Sequence, residues 1–246
     1  MVHFVGAGPG AEDLITVRGM KLLETADVII YAGSLVNPGL LKYAKQGCEI
    51  HNSAEMTLDE VIEVVACHRD KEIVRLHTGD PSLYGAIREQ MDRLIELGVE
   101  YDVCPGVSSF FGAAAALRAE YTLPDVSQTV IITRAAGKTP VPERESVRSL
   151  ASHGATMVFF LSAGLVDTIS RELIAGGYRP DTPAAVVYKA TWPDERIVRG
   201  TIATLPDMMD GITKTALVAV GDFLGNDYAL SRLYAPDFET EYRKAK

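Results

Sequence analysis

Short apolar runs alternate with amphipathic helical patterns through the first half of the chain, the sequence form of a parallel α/β sheet. The runs predict strands at Val2–Val5, Val28–Tyr31, Glu49–His51, Ile73–His77 and Tyr101–Cys104. Ahead of the fourth strand, Thr57-Leu58-Asp59-Glu60 has the spacing of a capping box, and Leu58, Val61, Ile62 and Val65 then fall on one helical face. A second helix places Ile87, Met91, Leu94 and Ile95 on its buried stripe, with a Glu89–Arg93 pair on its surface, and stops at Gly98, where a left-handed residue is needed.

The pattern breaks between Arg118 and Val126, after an Ala-rich helix over Phe111–Ala116, which predicts two domains, 1–120 and 121–246. The second half predicts strands at Thr129–Thr133, Thr156–Leu161, Ala184–Lys189, Arg196–Gly200 and Ala216–Val220, with helices at Val147–Ser152 and Leu165–Ala175, the latter closed by Gly176-Gly177. Trp192-Pro193-Asp194-Glu195 has turn chemistry and implies an antiparallel hairpin, hence a mixed sheet. Lys138–Glu143 is a Pro-containing polar loop with the length of a flap. The fold class is α/β, with a mostly parallel N-terminal sheet and a mixed C-terminal one.

The 246 residues are 47% apolar, enough for a core in each half. Lys+Arg 24 against Asp+Glu 33 leaves a net charge of −9, which disfavours a sequence-independent nucleic-acid binder and favours a small-molecule partner. Cys48, Cys67 and Cys104 lack CxxC spacing; they suggest core positions and a reducing cytoplasm rather than a disulfide framework or zinc site. The opening MVHFVG reads as a strand without the charged region of a secretory leader, and no apolar run is long enough to span a membrane. The histidines His3, His51, His68, His77 and His153 are scattered, which favours structural roles over metal ligation. Only His77 stands beside the edge where a parallel sheet binds ligands.

Three glycine-bearing loops gather at that edge. Gly6-Ala7-Gly8-Pro9-Gly10-Ala11 satisfies the GxGxx[G/A] spacing of a dinucleotide loop. The carboxylate that would hold a ribose is missing, because Ala32-Gly33-Ser34 follows Tyr31, and Pro9 removes an N–H from the loop. A tight strand-to-helix turn remains the alternative. The second loop is His77-Thr78-Gly79-Asp80-Pro81-Ser82-Leu83-Tyr84-Gly85, where Gly79 admits a ligand to the main chain and Asp80-Pro81 suits the start of a helix. The third, Pro105-Gly106-Val107-Ser108-Ser109, repeats the design of glycine followed by small hydroxyls. Together they point to a nucleotide-like ligand.

The GAGPG opening, the RLHTGDPSLYG stretch (Arg75–Gly85) and PGVSS resemble the tetrapyrrole methyltransferases, two-domain class III enzymes that use S-adenosylmethionine, and the resemblance runs from Val2 to about Leu233. Thr133–Glu143 and Val187–Glu195 are similar to the branch that methylates C-11 of precorrin-4 or cobalt-precorrin-4 in cobalamin synthesis. Methylation at another position, on precorrin-2, precorrin-3 or uroporphyrinogen III, stays open as an alternative within the family. The resemblance implies cofactor contacts at Pro9, Thr78, Gly79, Asp80, Leu83 with the adjacent Tyr84, Ser108, Ser109, Leu161, Ala190 and Ala216, drawn from both halves with the cofactor in the cleft between them. It also implies S-adenosylhomocysteine as product, no protein-bound metal and a homodimer. Siroheme-forming relatives carry an aspartate after the Val-Ile-Tyr strand; Ala32 stands there in this chain, so no catalytic acid or base is assigned.

Methyl transfer from a sulfonium to carbon is an in-line displacement that asks for alignment and exclusion of water more than for a strong base. The implied tetrapyrrole carries several carboxylates, so an acidic protein must meet it with placed cations. Arg134 and Lys138 in the flap and Lys189 by the hairpin are the candidates, with Ser34 as a polar contact, against the plain alternative of exposed solubilising charge. A nicotinamide-dependent oxidoreductase and a non-enzymatic nucleotide sensor are the competing readings of the same loops.

Overall fold

The computed structural model describes residues 1–245, which divide by their contacts into two units. The first holds Met1–Ala113 and Lys189–Glu195; the second holds Ala114–Tyr188 and from Arg196 onward. The segment that the sequence places inside the second half, the turn Lys189–Glu195, thus groups with the first.

In the first unit, β1 (Val2–Gly6), β2 (Val28–Tyr31), β3 (Glu49–Asn52), β4 (Ile73–His77) and β5 (Tyr101–Cys104) form one sheet in the order β3-β2-β4-β1-β5. Every pairing is parallel. The central strands are buried on both faces, which is why they read as continuous apolar runs. Val5, Ile29, Val74 and Leu76 pack with Leu23 of α1 (Val17–Thr25) on one side. Phe4, Ile30 and Ile73 pack with Val61, Ile62 and Val65 of α2 (Leu58–Cys67) and Leu94 of α3 (Ile87–Glu96) on the other.

The capping box forms as the spacing predicts: Glu60 N donates to Thr57 Oγ1 at 3.3 Å and Thr57 N to Glu60 Oε2 at 2.6 Å. Other features differ. The helix α1 is missing from the sequence reading; its mixed surface, with exposed Val17 and only Gly19 and Leu23 fully buried, gives a weak stripe. In α3, Ile95 is exposed and Gln90 is buried in its stead, because the helix is rotated to bring Gln90 against a polar group on the sheet. Arg93 pairs with Asp59 of α2 at 2.9 Å and with Glu96, not with Glu89. Of the cysteines only Cys104 is buried; Cys48 is half-buried, and Cys67, in the last turn of α2, is exposed.

In the second unit, β6 (Val130–Thr133), β7 (Thr156–Phe159), β8 (Pro183–Tyr188), β9 (Arg196–Thr201) and β10 (Ala216–Val220) form a mixed sheet in the order β6-β7-β10-β8-β9. Only β6 and β7 run parallel. Its core joins Met157, Phe159, Val186 and Val218 to Val147 and Ala151 of α5 (Val147–Ala151) and Ile169 and Leu173 of α6 (Val166–Ala175). The remaining helix, α4 (Ser109–Leu117), crosses the division between units, and its Phe111 is exposed rather than packed. No helix among the described residues is long and apolar enough to cross a membrane.

Candidate active site

The carboxyl ends of β4, β1 and β5 are neighbours, so the loops that follow them meet. They meet backbone to backbone. Gly79 N donates to Gly8 O at 2.9 Å, Gly8 N to Gly79 O at 3.3 Å and Ala7 N to His77 O at 2.7 Å. A methyl placed on Gly6 would lie 2.5 Å from Gly106 Cα, and one on Gly106 would lie 2.2 Å from Gly79 O. Gly79 also has φ +61°, a conformation that L side chains resist. Only glycine at these positions lets the loops close on one another.

Asp80 locks the closure. Its Oδ1 accepts from Ser82 N at 2.8 Å and its Oδ2 from Gly106 N at 2.9 Å, so the carboxylate joins the second loop to the third. The helix expected to open at Asp80-Pro81 does not: Pro81–Tyr84 is a turn, and α3 starts at Ile87, after Tyr84 and Ala86 take positive φ of 57° and 50°. Ser108 is buried and its hydroxyl accepts from Phe110 N at 3.3 Å at the start of α4.

The first loop is held by residues that sequence reasoning missed. Asn37 Nδ2 donates to Gly10 O at 2.8 Å while its Oδ1 accepts from Gly39 N, and the Asn37-Pro38-Gly39 turn was the available signal. Thr191 Oγ1 accepts from Ala11 N at 2.9 Å. The single tryptophan, Trp192, covers Gly10 so closely that a Cβ there would lie 2.1 Å from its ring. The turn Lys189–Glu195 thereby presents Ala190, which is buried, beside the glycine-rich loop.

In the second unit, Leu161 and Ala216 lie at one end of the sheet, because β7 and β10 are antiparallel with Val218 opposite Phe159. Leu161 is 66% exposed with φ +53°, an apolar side chain held in a costly conformation and left uncovered. Among the described residues nine non-glycine residues have positive φ, and in the first unit Tyr84, Lys189 and Thr191 are or adjoin expected cofactor contacts. For β-branched Thr191, φ +69° is an outlier that the Ala11 and Glu195 hydrogen bonds maintain.

The expected cations are differently employed. Arg134 donates from Nη1 to Thr139 O at 3.1 Å and from Nη2 to Pro140 O at 2.6 Å, so its guanidinium braces the flap. Ser162 steadies the flap's root by accepting from Ala135 N at 2.8 Å. Lys189 pairs with Asp194 at 2.6 Å and lies 5.5 Å from the Trp192 ring. Lys138 and Ser34 are exposed. Among the histidines, His3 bridges Asp102 and Glu72, and His51 and His68 share Glu49. His77 is buried, its Nε2 has no hydrogen-bond partner, and burial together with the nearby Arg75 cation pushes it down to about 3 from the ordinary 6.5, so the imidazole is neutral.

Substituting Gly106→Ala is expected to force the second and third loops apart and destabilise the first unit by about 2 kcal/mol, read as a lower urea midpoint. The His77 shift sets a pH dependence. Between pH 6.5 and about 3 the unfolded imidazole binds a proton that the folded one does not, so stability falls as pH is lowered through that window. The slope from this group is about 1.4 kcal/mol per pH unit, and denaturant unfolding across the window should find it missing in His77→Gln.

The sequence matches the family described as Tetrapyrrole (Corrin/Porphyrin) Methylases over residues 1–206. It is 55% identical to the cobalt-precorrin-4 C(11)-methyltransferase of Methanocaldococcus jannaschii, over 99% of this chain and 96% of that protein. Among solved structures, a cobalamin biosynthetic enzyme, cobalt precorrin-4 methyltransferase, is similar with TM-score 0.89 and 49% identity, covering 92% of this chain and 96% of the other. The uroporphyrin-III C-methyl transferase of Thermus thermophilus, in complex with S-adenosyl homocysteine, is similar with TM-score 0.77 and 26% identity over 91% of this chain and 98% of its own. With a parallel sheet whose glycine loops close at one edge, a mixed second sheet and a family match from the first residue to Pro206, the chain belongs to the tetrapyrrole methylases.

Proposed function

We propose that the protein transfers a methyl group from S-adenosylmethionine to C-11 of precorrin-4 or cobalt-precorrin-4, giving the corresponding precorrin-5. The observation that carries this reading is the closure of the three loops at Gly6, Gly79 and Gly106, in a chain 55% identical to a relative named for that reaction. The cradle suits the cofactor chemically. It offers main-chain groups, the small hydroxyls of Thr78, Ser108 and Ser109, and apolar groups from Pro9, Leu83, Tyr84 and Ala190. Bound there, S-adenosylmethionine supplies an electrophilic methyl.

The residues of the chain then have three tasks. The glycine loops hold the donor's position, which converts an encounter between two molecules into a single oriented step. Asp80 does this by joining the loops, since each of its oxygens accepts from a backbone N–H. Neutral His77 adds no positive charge beneath a donor that is itself a cation. The carboxylates of the macrocycle fall to Lys138 and to the flap that Arg134 braces, with Lys189 and Ser34 as further contacts; Lys189 acts with its charge partly offset by Asp194.

Incubation with precorrin-4 and S-adenosylmethionine should yield a product one methyl heavier, substituted at C-11, with S-adenosylhomocysteine released. Methylation of uroporphyrinogen III or precorrin-2 in its place would overturn the assignment of substrate, and binding without turnover would favour a sensor. Lys138→Glu should raise KM for the tetrapyrrole about ten-fold through charge reversal while donor affinity is unchanged, measured by steady-state kinetics at low ionic strength.

A further inference from the structure

The inward stripe of α3 carries Gln90, 7% exposed, where the helical period calls for an apolar residue. Opposite it on β4 stands Arg75, 8% exposed. Arg75 Nε donates to Gln90 Oε1 at 3.0 Å and Nη1 to the carbonyl of Ile30 at 3.2 Å. Gln90 Nε2 in turn donates to the carbonyl of Ala86 at 2.9 Å. Burial lowers Arg75 only to about 10, so it is a cation at neutral pH, and its partners are uncharged.

Stability alone does not account for this chain of groups. Buried ionic and polar clusters exchanged for apolar side chains of similar volume commonly leave a protein as stable or more so. The cluster does reach one place that apolar packing cannot fix, the peptide after Ala86. Ala86 precedes α3 with φ +50° and no side-chain cap, whereas a helix start ordinarily has extended backbone and a capping hydroxyl or carboxylate. The Gln90 amide is the side chain that grips this peptide, and Arg75 fixes the amide's orientation by occupying its oxygen. The loop from Asp80 to Ala86 is thereby anchored at Asp80 through Gly106 and at Ala86 through Gln90, with Leu83 and Tyr84 lying between these two points.

We infer that Arg75 and Gln90 are positioning residues for donor binding, acting through the Ala86 carbonyl to set Leu83 and Tyr84. The inference rests on the reading that this loop contacts S-adenosylmethionine. The decisive variant is Gln90→Glu, which keeps an acceptor for Arg75 and adds an opposite charge but turns an oxygen, not an N–H, toward the Ala86 carbonyl. A purely structural pair would be retained or strengthened. The expected result is an unfolding temperature no lower than that of the unaltered protein, with affinity for S-adenosylhomocysteine by calorimetry weakened about ten-fold and the kinetic effect on KM for the donor rather than kcat. Should Gln90→Glu fail to fold, Gln90→Met also removes the donor and is expected to weaken binding alike. Affinity equal to that of the unaltered protein in whichever variant folds overturns the inference and leaves the cofactor reading intact. Absence of binding by the unaltered protein overturns both.

Discussion

The contact of main chain on main chain at Gly6, Gly79 and Gly106 is the constraint on which the loops at the first sheet's carboxyl edge depend. Parallel strands deliver their carboxyl ends to one edge, but ordinary side chains would hold the following loops apart. Removing the Cβ atoms brings them together, and the Asp80 carboxylate then supplies the specific bonds that an apolar contact lacks. Asn37 and Thr191 perform the matching service for the first loop, so the first and third loops are each held by a side chain belonging to another segment.

Beneath the second loop the sheet face changes character within a few residues. Ile73 is part of an apolar core, Arg75 is a buried cation and His77 a buried neutral imidazole, all on the same face of β4. These polarities belong together. The cation disfavours a second positive charge on His77, and neutral oxygens from Gln90 and Ile30 rather than a carboxylate solvate it. A carboxylate partner would leave less reason for Arg75 to orient an amide, and the grip on Ala86 depends on that orientation.

Charge is distributed differently at the flap. For the proposed polyanionic substrate, a protein of net charge −9 must offer cations locally, against its own field. Arg134 spends its fork on the flap's carbonyls and Lys189 spends part of its charge on Asp194, so both cations first serve to order their own loops.

Much of this was legible in the chain. The apolar runs and turn signals placed the ten strands of the described residues to within a residue or two, most plainly the central ones buried on both faces, and the capping box and the Trp192-Pro193 hairpin announced themselves by local chemistry. The glycine loops were visible as motifs that resemble a family. The α1 helix, the burial of Gln90 in place of Ile95 and the turn after Asp80 were not, because each depends on what lies opposite: a sheet face, Arg75, the N–H of Gly106. Sequence periodicity records how often a side chain must face inward, and so it determined the strands, the helices other than α1 and the edge at which the loops emerge. Which polar atom meets which, Asp80 with Gly106, Gln90 with Ala86, Thr191 with Ala11, was decided only by the tertiary structure, because those partners are distant in the chain or share a helical turn whose rotation the core sets.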